Sequence, residues 1–243
     1  MFTYIYVFFL KDFSFKIHFY TPIELAELIQ EGKSIIRLGD GEINLFHGFK
    51  NHYHFFSPSL KDMIKKIITS YSSESLYILS VPRFINVSNQ ELKMIGKLSV
   101  WLPLKVVFLL LFPKKISYMD SHNFYYDEYF ENFLTPLFVN KKIIFVTNGK
   151  TIKKQKQNTK LPWKDIVYIE TPETDALISY DNIVTLINKE IKKHNSKDVV
   201  LFIAMGPVGK YLIYEYADRG YQGIDIGKIA EVMFTGESVQ YLI

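Results

Sequence analysis

Residues 34–42 read Ser34-Ile35-Ile36-Arg37-Leu38-Gly39-Asp40-Gly41-Glu42, a short apolar run followed at once by two carboxylates. The apolar run, residues 34–38, predicts a buried strand. Side chains two positions apart on an extended backbone point to the same side, so we expect Asp40 and Glu42 to face one point. Gly41 lies between them, and a glycine allows unusual backbone conformations and the close approach of a ligand.

The two carboxylates, Asp40 and Glu42, suit a divalent cation. Carboxylate oxygens are hard donors, and Mg²⁺ or Mn²⁺ held by two of them keeps coordination positions free for phosphate oxygens. Open α/β sheets bind ligands at the carboxyl ends of their strands, and Arg37 adds a cation beside the pair. The alternative is a plain turn, because Asp-Gly is among the strongest turn dipeptides.

Apolar strands and helices alternate on both sides of this stretch. Strands are predicted at residues 34–38, 76–81, 141–147, 165–170, 199–204 and 222–226. Helices are predicted at about residues 22–31, 57–70, 89–98, 124–134, 181–194 and 210–219. Such alternation is typical of a mostly parallel sheet covered by helices, so the fold class is α/β. No repeat or linker divides the chain, and we expect one domain over residues 1–243.

Composition excludes several classes of site. Because the chain has no cysteine, disulfides, thiolate metal sites and a cysteine nucleophile are ruled out. The net charge of +4 is too small to indicate nucleic acid. Hydrophobic residues at 48% and charged residues at 22% are ordinary for a folded domain. We expect a cytoplasmic protein with a substantial core.

Two apolar segments raise the question of a membrane. Residues 1–10 are short for a signal peptide and lack a basic start. Residues 100–115 are too short to span a bilayer, and Pro103 and Lys105 interrupt them. We expect a buried core helix there. The alternative is peripheral contact with the inner face of the cytoplasmic membrane, because the segment ends in Lys114 and Lys115.

Two further candidates follow predicted strands in the second half of the chain. Gly206 and Pro207 lie between a strand and a helix, where backbone N–H groups can bind phosphate, although a tight turn without a ligand fits equally well. Asp225 ends the last predicted strand, and on a parallel sheet it shares the edge of Asp40. Capping of the following helix is the alternative for Asp225.

A polar stretch between Thr147 and Asp165 carries six lysines. They are Lys150, Lys153, Lys154, Lys156, Lys160 and Lys164. We expect a solvated loop, with a flexible cover over an anionic ligand as the alternative. Asn148 and Gly149 at its start could line a pocket. Elsewhere, His52 and His54 could pair on a transition metal, but no third ligand has suitable spacing.

These residues together resemble a known family, the bacterial glycosyltransferases with the GT-D fold. Its opening Arg-x-Gly-Asp-Gly-Glu signature stands complete at residues 37–42. Later segments are similar in order and spacing: residues 146–149, 171–176, 180–183, 205–207 and 224–227. The resemblance covers about residues 20–230. Many members carry a Ser-Arg-x-Gly-x-Gly-Asn-Asp stretch and a later histidine, where this chain has its lysine-rich stretch and Lys228.

The resemblance implies a Rossmann-like α/β fold with helices on both faces of the sheet. It implies a UDP-sugar donor and Mn²⁺ or Mg²⁺ held by Asp40 and Glu42, with Asp225 as a general base or sugar contact. Arg37 would approach the diphosphate or pair with Asp40 or Glu42. The nucleotide pocket would include Gly39, Gly41, Asn148, Gly149, Gly206, Pro207 and Gly227.

The implied activity is transfer of a sugar to a bacterial surface glycan, lipopolysaccharide or other glycolipid, capsule or glycoprotein. Two alternatives stay open. One is a non-catalytic module that binds nucleotide-sugars. The other is a metal-dependent phosphoryl-transfer enzyme or hydrolase built on a similar sheet.

Overall fold

Seven parallel strands form the centre of the protein in a computed structural model that describes residues 14–48, 57–121, 134–158, 160–163 and 165–233, with only the backbone of Asp40. The strands are β1 (Ser34–Arg37), β2 (Tyr77–Val81), β3 (Met119–Asp120), β4 (Lys142–Asn148), β5 (Ile166–Thr171), β6 (Val199–Ala204) and β7 (Gln222–Asp225). Their order in the sheet is β3-β2-β1-β7-β6-β4-β5. All carboxyl ends therefore lie at one edge.

Helices connect and cover these strands. Those in the described residues are α1 (Pro22–Gln30), α2 (Asp40–Phe46), α3 (Pro58–Thr69), α4 (Asn89–Met94), α5 (Leu98–Leu111), α6 (Gly149–Gln157), α7 (Tyr180–Ile191), α8 (Gly206–Asp218) and α9 (Ile229–Val232). Short 3₁₀ turns occur at Arg83–Ile85, Thr135–Phe138, Ala176–Ser179 and Ser196–Asp198.

The core consists of two apolar layers, one on each face of the sheet. Helices α3, α5, α7 and α8 supply buried residues to the larger layer, with Phe108, Leu212 and Ile187 at its centre. Helices α1 and α9 and the turn Thr135–Phe138 supply the other layer. Burial on both faces explains why the strands read as continuous apolar runs.

The fold class predicted from the sequence is confirmed. Each of the six predicted strands is present, with ends within about two residues of the prediction. The seventh, β3, has two residues and gives no periodic signal. The helix predicted at residues 124–134 lies almost entirely outside the described residues, as do residues 1–10 and His52 and His54.

The lysine-rich stretch is not the loop that its composition indicated. Residues 149–157 form helix α6, which begins with Asn148 Oδ1 accepting the N–H of Thr151 at 3.0 Å. Thr151, Ile152 and Gln155 form its buried face. Gln155 donates its side-chain N–H to the carbonyl of Ala230, which ties α6 to α9. A helix held in this way replaces both the loop and the flexible cover over this range.

The apolar segment at residues 100–115 forms most of helix α5, and its middle is buried as expected for a core helix. Lys105 is fully buried within it, and its ammonium group donates to Asn89 Oδ1 at 2.9 Å and to the carbonyl of Val87. The ends of the helix are different, because Val100 and Leu110 are each 48% exposed. None of the helices within the described ranges is long and apolar enough to cross a bilayer.

Candidate active site

The candidate site lies at the carboxyl edge of the sheet, where the central strands β1 and β7 end side by side. After β1 the chain moves toward β2, and after β7 it moves the other way into α9, which packs beside α6. Strands whose connections leave in opposite directions open a crevice, and α/β sheets bind ligands in such crevices. The residues singled out in the sequence end these strands.

The stretch Asp40-Gly41-Glu42 begins helix α2 and is not extended. The prediction that the two carboxylates face one point because they are two positions apart on an extended backbone is therefore wrong. In a helix such positions are about 200° apart around the axis. Gly41 is helical as well, so it does not supply an unusual backbone conformation.

The Glu42 side chain turns back onto the start of its own helix. Its Oε2 accepts the backbone N–H of Gly39 at 2.8 Å, in the manner of the glutamate of a capping box. Its Oε1 lies 3.1 Å from the ammonium group of Lys210, which projects from the first turns of α8. Glu42 is 7% exposed, so this contact is shielded from water.

Asp225, at the end of β7, joins the same group of charges. Its Oδ2 lies 3.1 Å from Lys210 Nζ and accepts the backbone N–H of Arg37 at 3.2 Å. Its Oδ1 lies 3.9 Å from Arg37 Nε. We call Arg37, Glu42, Lys210 and Asp225 the charge cluster. The alternative role of Asp225 as a cap of the next helix is wrong, since Lys228 precedes α9 and no side chain caps it.

The charge cluster balances two cations against two anions. Burial lowers the pKa of Lys210, but the nearby carboxylates of Asp225 and Glu42 outweigh burial, and the pKa lies above its ordinary value. Because a stranded buried charge costs about 3–5 kcal/mol, each member depends on its partners. Of the two carboxylates proposed to pair with Arg37, Glu42 contacts Lys210, and the printed ion pair of Arg37 is with Asp225.

Lys210 was not singled out in the sequence. A signal exists, because it lies among apolar residues in a helix that packs on the sheet, and a lysine is rarely buried without partners. Asp120 was missed as well. It ends β3, is 7% exposed and lies 3.9 Å from Arg83 Nε. A two-residue strand gave no reason to place it at the carboxyl edge.

Gly227 lies against the guanidinium group of Arg37. A Cβ at this position would lie 2.0 Å from Arg37 Nη2, and the φ angle of Gly227 is +47°. Both facts require glycine, one because of space and the other because of backbone conformation. Gly227 therefore helps to hold Arg37 in place.

Helix α8 begins at the same edge, directly after β6. Gly206 has a φ of +59° and starts the helix, and Pro207 occupies its second position with its side chain buried. Proline suits this position because the first turn has no acceptor for its missing N–H. The start of α8 thus lies one strand from Asp225, since Ile203 of β6 pairs with Asp225.

Helix α6 begins on the neighbouring strand β4, whose Thr147 pairs with Ala204 of β6. The side chain of Asn148 is used as the helix cap. Gly149 is packed against Glu170 of β5, because an added Cβ would lie 2.4 Å from Glu170 Oε1. A carboxylate therefore already lies at this helix start, a feature that the sequence did not indicate.

The donor set can be compared with the needs of a divalent cation. Glu42 offers hard oxygen donors at the ligand-binding edge, and the ammonium group of Lys210 at 3.1 Å shows that this carboxylate attracts a cation. The Asp40 backbone lies two residues before it at the start of α2. Within the described side chains, no three histidines, aspartates or glutamates are grouped as a metal site. The residues fit a cation that keeps several positions for phosphate or water.

Comparison with known proteins gives a family match. The model of the glycosyltransferase GT-D fold family matches residues 112–233, half of the chain. The matched region includes α8 and β7, and therefore Lys210 and Asp225.

Two curated streptococcal proteins are similar to most of the chain. "Glycosyltransferase GlyD" of Streptococcus pneumoniae serotype 4 is 22% identical over 227 residues, which cover 84% of this chain and 26% of that protein. "Probable glycosyl transferase Gly" of Streptococcus gordonii is 24% identical over 216 residues, which cover 84% of this chain and 31% of that protein. The chain thus spans between about a quarter and a third of the length of these relatives.

Solved structures share the fold. A structure described as "A New Glycosyltransferase (DUF1792) from Streptococcus sanguinis" superposes with a TM-score of 0.74 at 20% identity, covering 94% of this chain and 88% of that one. Another, described as the highly conserved domain of unknown function 1792 with a distinct glycosyltransferase fold, has a TM-score of 0.75 at 22% identity, with coverage of 93% and 85%.

Proposed function

Because the chain belongs to the GT-D fold family of glycosyltransferases, we propose that it moves a sugar from a UDP-sugar donor to a bacterial surface glycan, glycolipid or glycoprotein. The observation that carries the proposal is the buried charge cluster at the carboxyl edge, beside the starts of two helices. Nucleotide-sugars bring two phosphates, which suit helix starts and nearby cations.

The start of α8 is our proposed contact for the diphosphate. Its first backbone N–H groups have no acceptor inside the helix and are aimed at the edge where β6 ends. Gly206, Pro207 and Gly227 would shape this part of the pocket, with Gly39 opposite. Asn148 and Gly149 would line the uridine side, and the carboxylate of Glu170 limits how closely phosphate can approach α6.

Asp40 and Glu42 would hold Mn²⁺ or Mg²⁺. When bound, the cation would neutralise the charge that grows on the departing UDP. Arg37 would add a second positive charge at the same place. Lys210 would fix the positions of Glu42 and Asp225 through its two contacts of 3.1 Å.

Asp225 was predicted to act as a general base or to contact the donor sugar. Its carboxylate is 4% exposed and is held by Lys210 and by the backbone of Arg37. These contacts favour a positioning role, in which Asp225 orients the two cations toward the donor. An Asp225→Asn variant separates the roles, because loss of a general base lowers kcat and leaves KM unchanged.

The proposal is tested in two steps. First, the melting temperature is measured with UDP, with Mn²⁺ and with both, and we expect the largest rise when both are present. Second, a panel of UDP-sugars is incubated with the protein and Mn²⁺, and slow release of UDP is expected from one of them.

The products decide between the candidate activities. UDP-dependent stabilisation without release from any UDP-sugar would indicate a binding module. Release of UMP or inorganic phosphate would indicate a phosphoryl-transfer enzyme or a hydrolase. If neither UDP nor UDP-sugars change the melting temperature with or without Mn²⁺, the proposed donor is wrong.

A further inference from the structure

The corner between helices α4 and α5, residues 93–100, presents apolar side chains to solvent. Met94 is 79% exposed, Ile95 is 56% exposed and Val100 is 48% exposed. They are close together in the chain, on the last turn of α4, on the turn at Gly96 and on the first turn of α5. We call residues 93–100 the α4–α5 corner.

The α4–α5 corner is held rigidly from below. The buried ammonium group of Lys105 bonds to the Asn89 side chain and the Val87 carbonyl, which joins α5 to the start of α4. The Trp101 ring stacks on the Phe84 ring, with centroids 4.8 Å apart. Gly96 turns the chain with a φ of +68°. The exposed apolar side chains thus stand on a fixed scaffold.

Basic residues surround these apolar side chains. Lys93 is exposed, Lys97 is half-buried, and Lys114 and Lys115 are exposed beyond the far end of α5 near exposed Leu110. The whole range of residues 92–119 contains five lysines and no aspartate or glutamate. A convex apolar corner with lysines beside it matches the surface of an anionic bilayer, which attracts lysines and accepts short apolar side chains.

We propose that the α4–α5 corner inserts into the surface of an anionic lipid bilayer. The corner lies toward the carboxyl edge of the sheet, because the turn that carries Phe84 directly follows β2 and α5 packs against α2. A docked protein would therefore face the bilayer with the edge that bears the charge cluster. If the proposed function holds, this orientation suits an acceptor that is itself anchored in the membrane.

The test is co-sedimentation with phosphatidylcholine vesicles, with and without phosphatidylglycerol. We expect binding to the vesicles that contain phosphatidylglycerol, and weaker binding at high salt. Met94→Ser with Ile95→Ser should weaken binding about tenfold or more, because both apolar side chains are lost. Lys93→Gln with Lys97→Gln should weaken it about fivefold for each lysine.

Matched controls lie at the opposite end of the sheet. Ile178→Ser removes an apolar side chain that is 88% exposed, and Lys189→Gln with Lys192→Gln removes two exposed lysines of the α7 region. Neither should change vesicle binding. An absence of binding to phosphatidylglycerol vesicles overturns the proposal, and so does an equal loss in the control variants.

Two further measurements separate other outcomes. Self-association that the Met94 and Ile95 variant abolishes, together with no vesicle binding, would assign the corner to contact between copies and overturn the lipid proposal. UDP release is measured on the same variants without vesicles and should be unchanged. Failure of UDP release in the unaltered protein would overturn the proposed function and leave the vesicle result standing.

Discussion

The ammonium group of Lys210 lies 3.1 Å from Oε1 of Glu42, and both side chains are more than nine-tenths buried. The contact joins the first turns of α8 to the first turn of α2, two helices that begin at the carboxyl edge from β6 and β1. Because Lys210 also contacts Asp225, one side chain fixes both carboxylates. The candidate site is therefore organised around a cation of the protein itself.

Lys210→Met should destabilise the protein strongly. Methionine keeps the length of the side chain but leaves Glu42 and Asp225 buried without their shared cation, at a cost of about 3–5 kcal/mol. Chemical denaturation monitored by circular dichroism measures the loss. Lys193→Met is the matched control, because it breaks an exposed ion pair with Glu190 and should change stability little. Equal stability of the two variants would show that the charge cluster is not cohesive.

Glu42→Gln should remove the stabilisation that Mn²⁺ adds to UDP binding. The amide oxygen can still accept the N–H of Gly39, so the start of α2 is kept, but the negative charge is lost. The measurement is the melting temperature with UDP and Mn²⁺. Glu24→Gln is the control, because Glu24 caps α1 from the same helical position and lies far from the site in sequence and fold. Asp40→Asn should behave as Glu42→Gln does.

Unchanged UDP binding and unchanged turnover in both the Asp40 and Glu42 variants would contradict the metal proposal. A shift lost only in the Asp40 variant would assign the cation to Asp40, with Glu42 held by Lys210. The thermal measurement distinguishes these outcomes even if no acceptor has been identified.

The strands were predictable because they are buried on both faces and read as apolar runs between helices. The geometry of Asp40 and Glu42 was not, because a helix begins at Asp40 directly after the strand, and sequence alone did not place its first residue. Helix α6 was missed because Ile152 is the one large apolar residue on its buried face. The polar Thr151 and Gln155 complete that face and carry no hydrophobic period.

The charge cluster was half predictable. Arg37, Glu42 and Asp225 follow strands, and strand ends are identifiable in the sequence. Lys210 comes from the interior of a helix, where only the tertiary packing of α8 against β1 and β7 brings it to the carboxylates. Contacts of that kind depend on how helices pack and are not encoded in a local pattern.

Tyr77→Phe should show a pH-dependent effect. Burial raises the pKa of Tyr77 to about 12, and the hydroxyl donates to the carbonyl of Ile67 at 2.7 Å. A raised pKa means that the hydroxyl stabilises the fold below the unfolded value of about 10 and that this contribution disappears as the pH rises toward 12. The variant should be about 1 kcal/mol less stable at pH 7. That difference should shrink between pH 10 and 12, as measured by urea denaturation across this range.

Gly227→Ala should impair the candidate site more than its backbone conformation alone explains. The added methyl group would lie 2.0 Å from Arg37 Nη2, so the guanidinium group must move away from Asp225. Gly220→Ala is a matched control, because Gly220 also has a positive φ, +79°, but an added Cβ there meets no atom within 4 Å. Both variants should lose about 1–2 kcal/mol from the backbone. Only Gly227→Ala should also lower UDP-sugar turnover and UDP affinity, because Arg37 is displaced. Equal turnover in the two variants would mean that the position of Arg37 does not matter for the donor.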